Sequence, residues 1–126
     1  MICVVIPCYN VRTSILDVIK KIPENVAKII LVDDFCPEET GKYVETNCSD
    51  KRLDIIFHDS NMGVGGAMIS GYKRAIKLGA SIVVKIDGDG QMDPSHIDDL
   101  IYLITTKEAD YVKGSRFYFV KELKSA

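Results

Sequence analysis

Three carboxylates lie close together in one short segment, and glycines stand beside them. Asp87, Asp89 and Asp93 belong to the stretch VVKIDGDGQMDP, residues 83–94, in which Gly88 and Gly90 follow the first two aspartates. Like charges this close repel one another, and glycines cost backbone entropy in an ordered structure. A bound cation would offset these costs, and Mg²⁺ commonly binds one or two carboxylates together with water and substrate phosphates. The segment therefore indicates a metal site at Asp87 and Asp89 beside a diphosphate.

The spacing supports the pairing of Asp87 with Asp89, but other interpretations compete. Side chains two residues apart point the same way in extended backbone, and the glycines let the chain curl around one ion. A turn before a helix capped by Asp93 explains the segment equally well and stays open. A calcium loop of the EF-hand type is excluded, because Met92 and Asp98 occupy the positions that require Gly and Glu.

A glycine-rich segment, NMGVGGA at residues 61–67, opens a predicted helix. Its spacing is G-x-G-G rather than the G-x-G-x-x-G of dinucleotide-binding folds, although Asp87 stands near the distance at which those folds place an acid. A phosphate loop of the Walker type would need lysine where Tyr72 stands. Two interpretations remain. Either the glycines let the helix start pack tightly, or backbone amides in this segment, which includes Gly63, face an anionic ligand.

Further polar residues follow other predicted strands. Asp33 and Asp34 close one strand, and either could accept a hydrogen bond from a nucleobase N–H or a ribose hydroxyl; a helix cap or surface turn is the alternative. Arg116 follows Gly114 and Ser115 and could bind a phosphate through two parallel hydrogen bonds, unless it is an ordinary exposed arginine. The two histidines have no matching ligand set, so neither is assigned a catalytic role.

The elements that must position these residues can be predicted from the apolar pattern. Five runs rich in Val and Ile read as strands buried on both faces, at residues 2–6, 27–32, 53–57, 81–86 and 110–112. Helical periodicity follows Thr13 and Ser14, starts more weakly at Pro37, and runs from Val64 to Leu78. A last helix begins with Asp93 as N-cap and Pro94 at its first position, and its apolar side carries Ile97, Leu100, Ile101 and Ile104.

This alternation of strands and helices predicts an α/β fold, a three-layer α/β/α sandwich with a mainly parallel sheet. Ligands of such sheets bind beyond the carboxyl ends of the strands. Each candidate segment follows a predicted strand, so all of them should meet on one rim of the sheet. That agreement supports a binding site more strongly than any single motif.

Composition limits the class of protein. The chain has 126 residues with 47% hydrophobic and 27% charged residues, values typical of one globular domain. A net charge of −2 does not indicate the excess of basic residues that nucleic-acid-binding proteins carry. The four cysteines form no C-x-x-C pair, and Cys3 lies in an apolar run, so we expect a buried thiol and a reducing, cytoplasmic compartment. No apolar run approaches a membrane span, and the first residues lack a signal-peptide pattern.

Five ordered motifs together resemble the amino-terminal half of a family 2 glycosyltransferase with the GT-A fold. They are VVIPCYN (residues 4–10), LVDD (31–34), NMGVGGA (61–67), KIDGDGQMDP (85–94) and KGSRF (113–117). The resemblance is closest to the branch of polyprenyl-phosphate (dolichol-phosphate-mannose-like) sugar transferases and bacterial envelope-polysaccharide enzymes. It covers nearly the whole chain.

The resemblance implies roles for particular residues. Pro7 and Tyr9 would line the base pocket, and Asp34, with or without Asp33, would bond the nucleotide base. Asp87 and Asp89 would be the D-x-D motif that holds Mg²⁺ or Mn²⁺ against the donor diphosphate, with Asp89 counted among the catalytic residues. Arg116 would steady the phosphates. The implied nucleotide-binding set also includes Asn10, Gly63 and Gly88.

The implied reaction is transfer of a sugar from a UDP- or GDP-sugar to a polyprenyl phosphate or glycan acceptor, metal-dependent and inverting. An alcohol acceptor would need a base, for which Asp93 is the candidate, whereas a polyprenyl phosphate would need none. Two other functions compete: a nucleotide-binding fragment without turnover, and a sugar nucleotidyltransferase. The second would need a glycine-rich, basic loop after the first strand, and residues 7–12 contain no glycine.

The chain also departs from the family pattern. The residues after the paired aspartates are usually small and polar, but here they begin with Phe35 and Cys36. Such catalytic domains usually run to about twice this length, so residues 1–126 should be the donor-binding part, with the full-length protein at the cytoplasmic face of a membrane. The apolar segment at residues 117–120 should then be partly exposed and favour homo-oligomers through the C-terminal end.

Overall fold

The computed structural model describes residues 1–90, Pro94, Ile97 and the backbone of Tyr118–Lys121. Eight elements follow one another in these residues. They are β1 (Ile2–Cys8), α1 (Ile15–Lys20), β2 (Lys28–Asp33), α2 (Thr40–Asn47), β3 (Leu53–Phe57), α3 (Gly63–Lys77), β4 (Ile82–Lys85) and β5 (Tyr118–Lys121). None of the described helices is long and apolar enough to cross a membrane.

The strands form one sheet in the order β3-β2-β1-β4-β5. The pairs β3–β2, β2–β1 and β1–β4 are parallel, so these four strands end at the same edge. β5 pairs with β4 in the antiparallel direction, with Lys85 opposite Tyr118. The sheet is therefore mainly parallel, as predicted.

Helices cover both faces of the sheet because successive strand residues alternate between two cores. Val4 and Ile6 of β1 point to a core that includes α1 and α2, with Ile15, Ile19 and Val44 among its buried members. Cys3 and Val5 point to the opposite core under α3. The predicted three-layer α/β/α arrangement is confirmed.

Gly71 determines how closely α3 approaches the sheet. A Cβ added at this residue would stand 2.3 Å from Val5 Cγ1, far inside van der Waals contact. Any larger residue would push α3 away from β1. The tight packing predicted for the glycines at the helix start is not found at Gly63 or Gly65, where an added Cβ would meet nothing within 4 Å; the close approach lies at Gly71, inside the helix.

Four of the predicted strands and three of the predicted helices are confirmed with shifted ends. β1 and β2 run on to Cys8 and Asp33, and α2 begins at Thr40 rather than Pro37. The late start of α2 coincides with the left-handed backbone of Glu39, at φ 52°. β5 was not predicted as a strand. The predicted strand at 110–112 and the helix after Asp93 lie outside the described residues, apart from Pro94 and the core residue Ile97.

Candidate functional site

The carboxyl ends of the parallel strands form the rim on which the candidate residues meet. Cys8 is paired with Asp33, and Asp33 with Phe57, so β1, β2 and β3 end at one level. Backbone bonds continue this order past the strands: Asp34 N–H donates to Cys8 O at 3.2 Å, and His58 N–H donates to Asp33 O at 2.9 Å. The segments that follow the strands are thus held side by side.

A cavity of about 380 Å³ opens at this rim. Its lining comprises Pro7, Cys8, Tyr9, Asn10, Val11, Asp34, Val64, Ala67, Asp87, Gly88 and Asp89. Seven residues predicted to bind nucleotide or metal are brought together there: Pro7, Tyr9, Asn10, Asp34, Asp87, Gly88 and Asp89. Asp33 and Gly63 do not line it. Asp93 and Arg116 lie outside the described residues, so their predicted roles stay predictions.

The glycines of the D-x-D segment are required by the turn that follows β4. Gly88 is buried, and a Cβ there would stand 3.0 Å from Val11 Cγ2 and 3.2 Å from Ile15 Cδ1. Its carbonyl accepts a hydrogen bond from Ser14 Oγ at 2.6 Å. Gly90 has φ +78°, in the left-handed region that glycine adopts most readily. The turn is thereby fixed against α1, and the two aspartates on either side of Gly88 border the cavity.

The chemistry of the two carboxylates fits a hard divalent cation. Oxygen ligands suit Mg²⁺ and Mn²⁺, and Mg²⁺ often takes only one or two protein carboxylates when a phosphate completes the shell. No group of three or more potential ligand side chains occurs within the described part of the chain. Asp87 also lies 3.4 Å from Lys85 Nζ, so a protein cation already offsets part of its charge.

Asp34 is buried between β2, β3 and α3. Its Oδ1 accepts hydrogen bonds from Met62 N–H at 2.8 Å and interacts with His58 Nδ1 at 2.9 Å. The neighbouring Asn61 donates from its side chain to Asp34 O at 3.4 Å and accepts from Gly63 N–H at 3.1 Å. Asp34 and Asn61 therefore cap the start of α3, and the Gly63 N–H has a protein partner.

Asp33 has a structural position, which differs from the predicted role in base binding. Its Oδ1 accepts from Cys36 N–H at 2.8 Å, and its Oδ2 accepts from Gly41 N–H at 2.7 Å. The side chain is buried, and a Cβ at Gly41 would collide with it at 2.8 Å. Both oxygens thus fix the β2–α2 loop and the first turn of α2, which is the capping alternative raised from the sequence.

Cys36 ties this loop to the one after β1. Its Sγ accepts from Asn10 N–H at 3.1 Å and contacts Thr40 Oγ1 at 3.1 Å. Burial raises the pKa of the Cys36 thiol, but hydrogen bonds from Thr40 and from backbone N–H groups outweigh burial and bring the pKa below its ordinary value. Burial raises the pKa of Cys8 well above its ordinary value, and Asp33 adds to the effect.

Sequence reasoning missed three residues of the site. The sequence offers no ligand set for His58, yet this residue follows β3 at the rim and contacts Asp34. Lys85 ends β4 and contacts Asp87. The sequence predicts Ser14 only as part of a helix start, whereas its hydroxyl donates to the carbonyl of Gly88. The available signal for His58 and Lys85 was a polar residue at a strand end; Ser14 lies at the start of α1 and gave no such signal.

Comparison with known proteins places these features in a family. The pattern of Glycosyl transferase family 2 matches residues 3–125. The UDP-N-acetylglucosamine–dolichyl-phosphate N-acetylglucosaminyltransferase of Methanococcus voltae is 35% identical, over 99% of this chain and 55% of its own length. The undecaprenyl-phosphate mannosyltransferase of Micrococcus luteus is 30% identical, over 89% of this chain and 46% of its own length. The chain thus spans about half the length of these curated relatives.

Solved structures agree on the fold. The mannosyltransferase PcManGT from Pyrobaculum calidifontis, in complex with GDP-Man and Mn²⁺, superposes with a TM-score of 0.74 at 17% identity, covering 95% of this chain and 44% of that chain. S. aureus TarS 1-349 in complex with UDP-GlcNAc gives 0.71 at 21% identity, covering 87% and 32%. The fold is of the GT-A type, and the chain belongs to glycosyl transferase family 2.

Proposed function

We propose that residues 1–126 form the donor-binding part of a glycosyltransferase that moves a sugar from a UDP- or GDP-sugar to a polyprenyl or dolichyl phosphate. One observation carries the proposal: the rim cavity has the buried Asp34 and the D-x-D pair, Asp87 and Asp89, in a single lining. The names of the Methanococcus and Micrococcus relatives support the choice of substrates.

The cavity lining offers one surface suited to the nucleobase of the donor and another suited to its diphosphate. Pro7, Tyr9 and Val64 provide apolar and aromatic surface suited to a nucleobase, and Asp34 provides a carboxylate for a base N–H. Asp87 and Asp89 lie beside this surface, where they would hold Mg²⁺ or Mn²⁺. When bound, the metal supplies neutralisation of the charge on the leaving diphosphate. A solved neighbour of the same fold contains Mn²⁺ with GDP-Man, which supports this use of the pair.

The acceptor determines which proton transfer the reaction needs. A polyprenyl phosphate is largely ionised near neutral pH, so its oxygen can attack the anomeric carbon in line without a protein base. This attack inverts the anomeric centre. The motifs that the structure describes belong to the donor side, so we propose that acceptor binding depends on sequence beyond residues 1–126, in line with the greater length of the relatives.

Matched aspartate variants test the metal assignment. Asp89 and Asp59 are both exposed at the rim, but only Asp89 lines the cavity. Asp89→Ala should abolish Mn²⁺-dependent binding of a nucleoside diphosphate and leave the melting temperature unchanged, whereas Asp59→Ala should bind like the wild type. Isothermal calorimetry with UDP and GDP measures both variants. Wild-type metal dependence in Asp89→Ala would rule out the assignment.

A further inference from the structure

Three polar side chains form a chain of contacts from the cavity to α3, with Asp34 and His58 buried and Ser70 partly buried. Asp34 Oδ1 lies 2.9 Å from His58 Nδ1, and His58 Nε2 lies 2.7 Å from Ser70 Oγ. The side chains of His58 and Asp34 are only 8% and 5% exposed. Both ring nitrogens of His58 are therefore engaged, one by the carboxylate that borders the cavity and one by the hydroxyl on α3.

The partners determine where the imidazole carries its proton. An ionised carboxylate only accepts hydrogen bonds, so Nδ1 must be the donor toward Asp34. In the neutral ring Nε2 is then an acceptor, and the Ser70 hydroxyl donates to it. The contact with Asp34 thus requires a proton on Nδ1 of His58 in either charge state; Nε2 accepts from Ser70 in the neutral ring and donates to it in the imidazolium.

The order carboxylate, imidazole, hydroxyl is also that of a hydrolytic triad, but the surroundings of Ser70 do not fit one. Ser70 stands inside α3, which runs over Gly63–Lys77, rather than on an exposed turn. It lines neither the rim cavity nor the adjacent groove that contains His58 and Tyr9. A nucleophile needs room for a reacting carbonyl beside its oxygen. The chain of contacts therefore serves to hold the Asp34 carboxylate rather than to activate Ser70.

Two donors from two elements hold the Asp34 carboxylate. His58 follows β3, and Met62 N–H at 2.8 Å stands at the start of α3. Because both contact Oδ1, the carboxylate cannot rotate about its Cβ–Cγ bond without losing both hydrogen bonds. The orientation of Asp34 at the cavity is thus set before a ligand arrives, which lowers the cost of binding one.

We propose that His58 is a positioning residue that makes Asp34 selective for nucleobases with a ring N–H. Uracil and guanine carry such a donor, while cytosine and adenine present a ring acceptor at the equivalent position. A carboxylate held in place rejects the second pair, because two acceptors would face each other in a buried site. This proposal rests on the proposed function, since it assumes that the base lies beside Asp34.

Variants of His58 separate its two contacts. The amide N–H of asparagine lies near the position of Nδ1 and keeps the hydrogen bond to Asp34. The amide of the longer glutamine lies near the position of Nε2, so it can contact Ser70 but loses the hydrogen bond to Asp34. Affinities for UDP against CDP, and for GDP against ADP, give the base preference in Mn²⁺ buffer. His58→Asn should retain the base preference of the wild type. In His58→Gln the ratio of the two affinities in each pair should fall about tenfold or more. Equal preferences in the two variants would overturn the proposal.

Two controls distinguish positioning from a general structural role. Binding of inorganic pyrophosphate with Mn²⁺ uses Asp87 and Asp89 and should be unchanged in both His58 variants. An equal loss for pyrophosphate and for UDP would mean that His58 only stabilises the fold, against the proposal. Asp34→Asn separates the proposed function from the positioning role of His58. If Asp34→Asn changes the base preference but His58→Gln does not, Asp34 binds the base and His58 does not position it. No change in Asp34→Asn would remove Asp34 from the base site.

A measurement on the wild type keeps the test open should His58→Gln fail to fold. The ¹⁵N chemical shifts of the His58 ring should report a proton on Nδ1 and should move when UDP or GDP is added, but not when pyrophosphate is added. His96, the second of the two histidines in the chain, serves as an internal reference. A ring protonated on Nε2 alone, or nitrogen shifts that no nucleotide moves, would overturn the proposal.

Discussion

Neighbouring aspartates at the end of β2 have the same side chain but different partners. The carboxylate of Asp33 accepts two backbone N–H groups that begin the β2–α2 connection and α2. That of Asp34 meets His58 and the start of α3, and it borders the cavity. Successive side chains leave extended backbone in opposite directions, which separates the two residues. Stability and ligand binding should therefore respond to different members of the pair.

Asp33→Asn is expected to lower the free energy of unfolding by about 1–3 kcal/mol. One carboxylate oxygen becomes an NH₂ group, which cannot accept the hydrogen bond from the backbone N–H that it faces. Nucleotide affinity of the folded variant should stay that of the wild type. Urea unfolding and calorimetry measure the two quantities. Full stability in Asp33→Asn, or a selective loss of nucleotide binding, would contradict the capping role.

Sequence alone could predict most of the elements, because their apolar residues report burial directly. The runs that became β1, β2, β3 and β4, and the periodicity of α1 and α3, need no knowledge of distant residues. β5 depends on pairing with β4 across more than thirty intervening residues, and no local pattern shows that partner. The meeting of the candidate residues at one cavity could be predicted because their segments follow the ends of parallel strands. The roles of Asp33 and His58 could not, because they depend on which backbone N–H or side chain a loop brings nearby.

The contact between α3 and β1 offers a test at the level of elements. Gly71→Ala should lower the free energy of unfolding by about 1–3 kcal/mol, because its Cβ would overlap Val5 and force the helix outward. Gly65→Ala is the matched control, since a Cβ there meets nothing within 4 Å. It should leave stability unchanged or raise it by up to about 1 kcal/mol. A gain of stability in both variants would mean that helix propensity, not the approach to β1, controls stability at Gly71.

The chain spans about half the length of the relatives, and the proposed donor site lies within it. A transferase must hold donor and acceptor in near-attack geometry, and much of its rate comes from that positioning. The lining residues of the cavity all lie within the described part of the chain. The apolar segment at 117–120 stays a predicted contact surface, although the backbone of Tyr118–Lys121 also pairs with β4.

The 126-residue chain is expected to bind nucleotide weakly, to transfer no sugar, and to self-associate. Sugar transfer from a nucleotide sugar to polyprenyl phosphate would be followed with radiolabelled donor, and association by analytical ultracentrifugation. Measurable transfer by these residues alone would contradict the assignment of acceptor binding to further sequence. A monomer at high concentration would separately contradict the exposed contact surface.

The central claim is a metal-dependent nucleoside-diphosphate site at the rim of the sheet. Calorimetric titration of the chain with UDP and with GDP, each with Mn²⁺ and again after chelation of the metal, tests it most directly. We predict that at least one of the two nucleotides binds in the presence of Mn²⁺ and that chelation weakens its binding about tenfold or more. Binding that is the same with and without metal, or no binding of either nucleotide, would contradict the account.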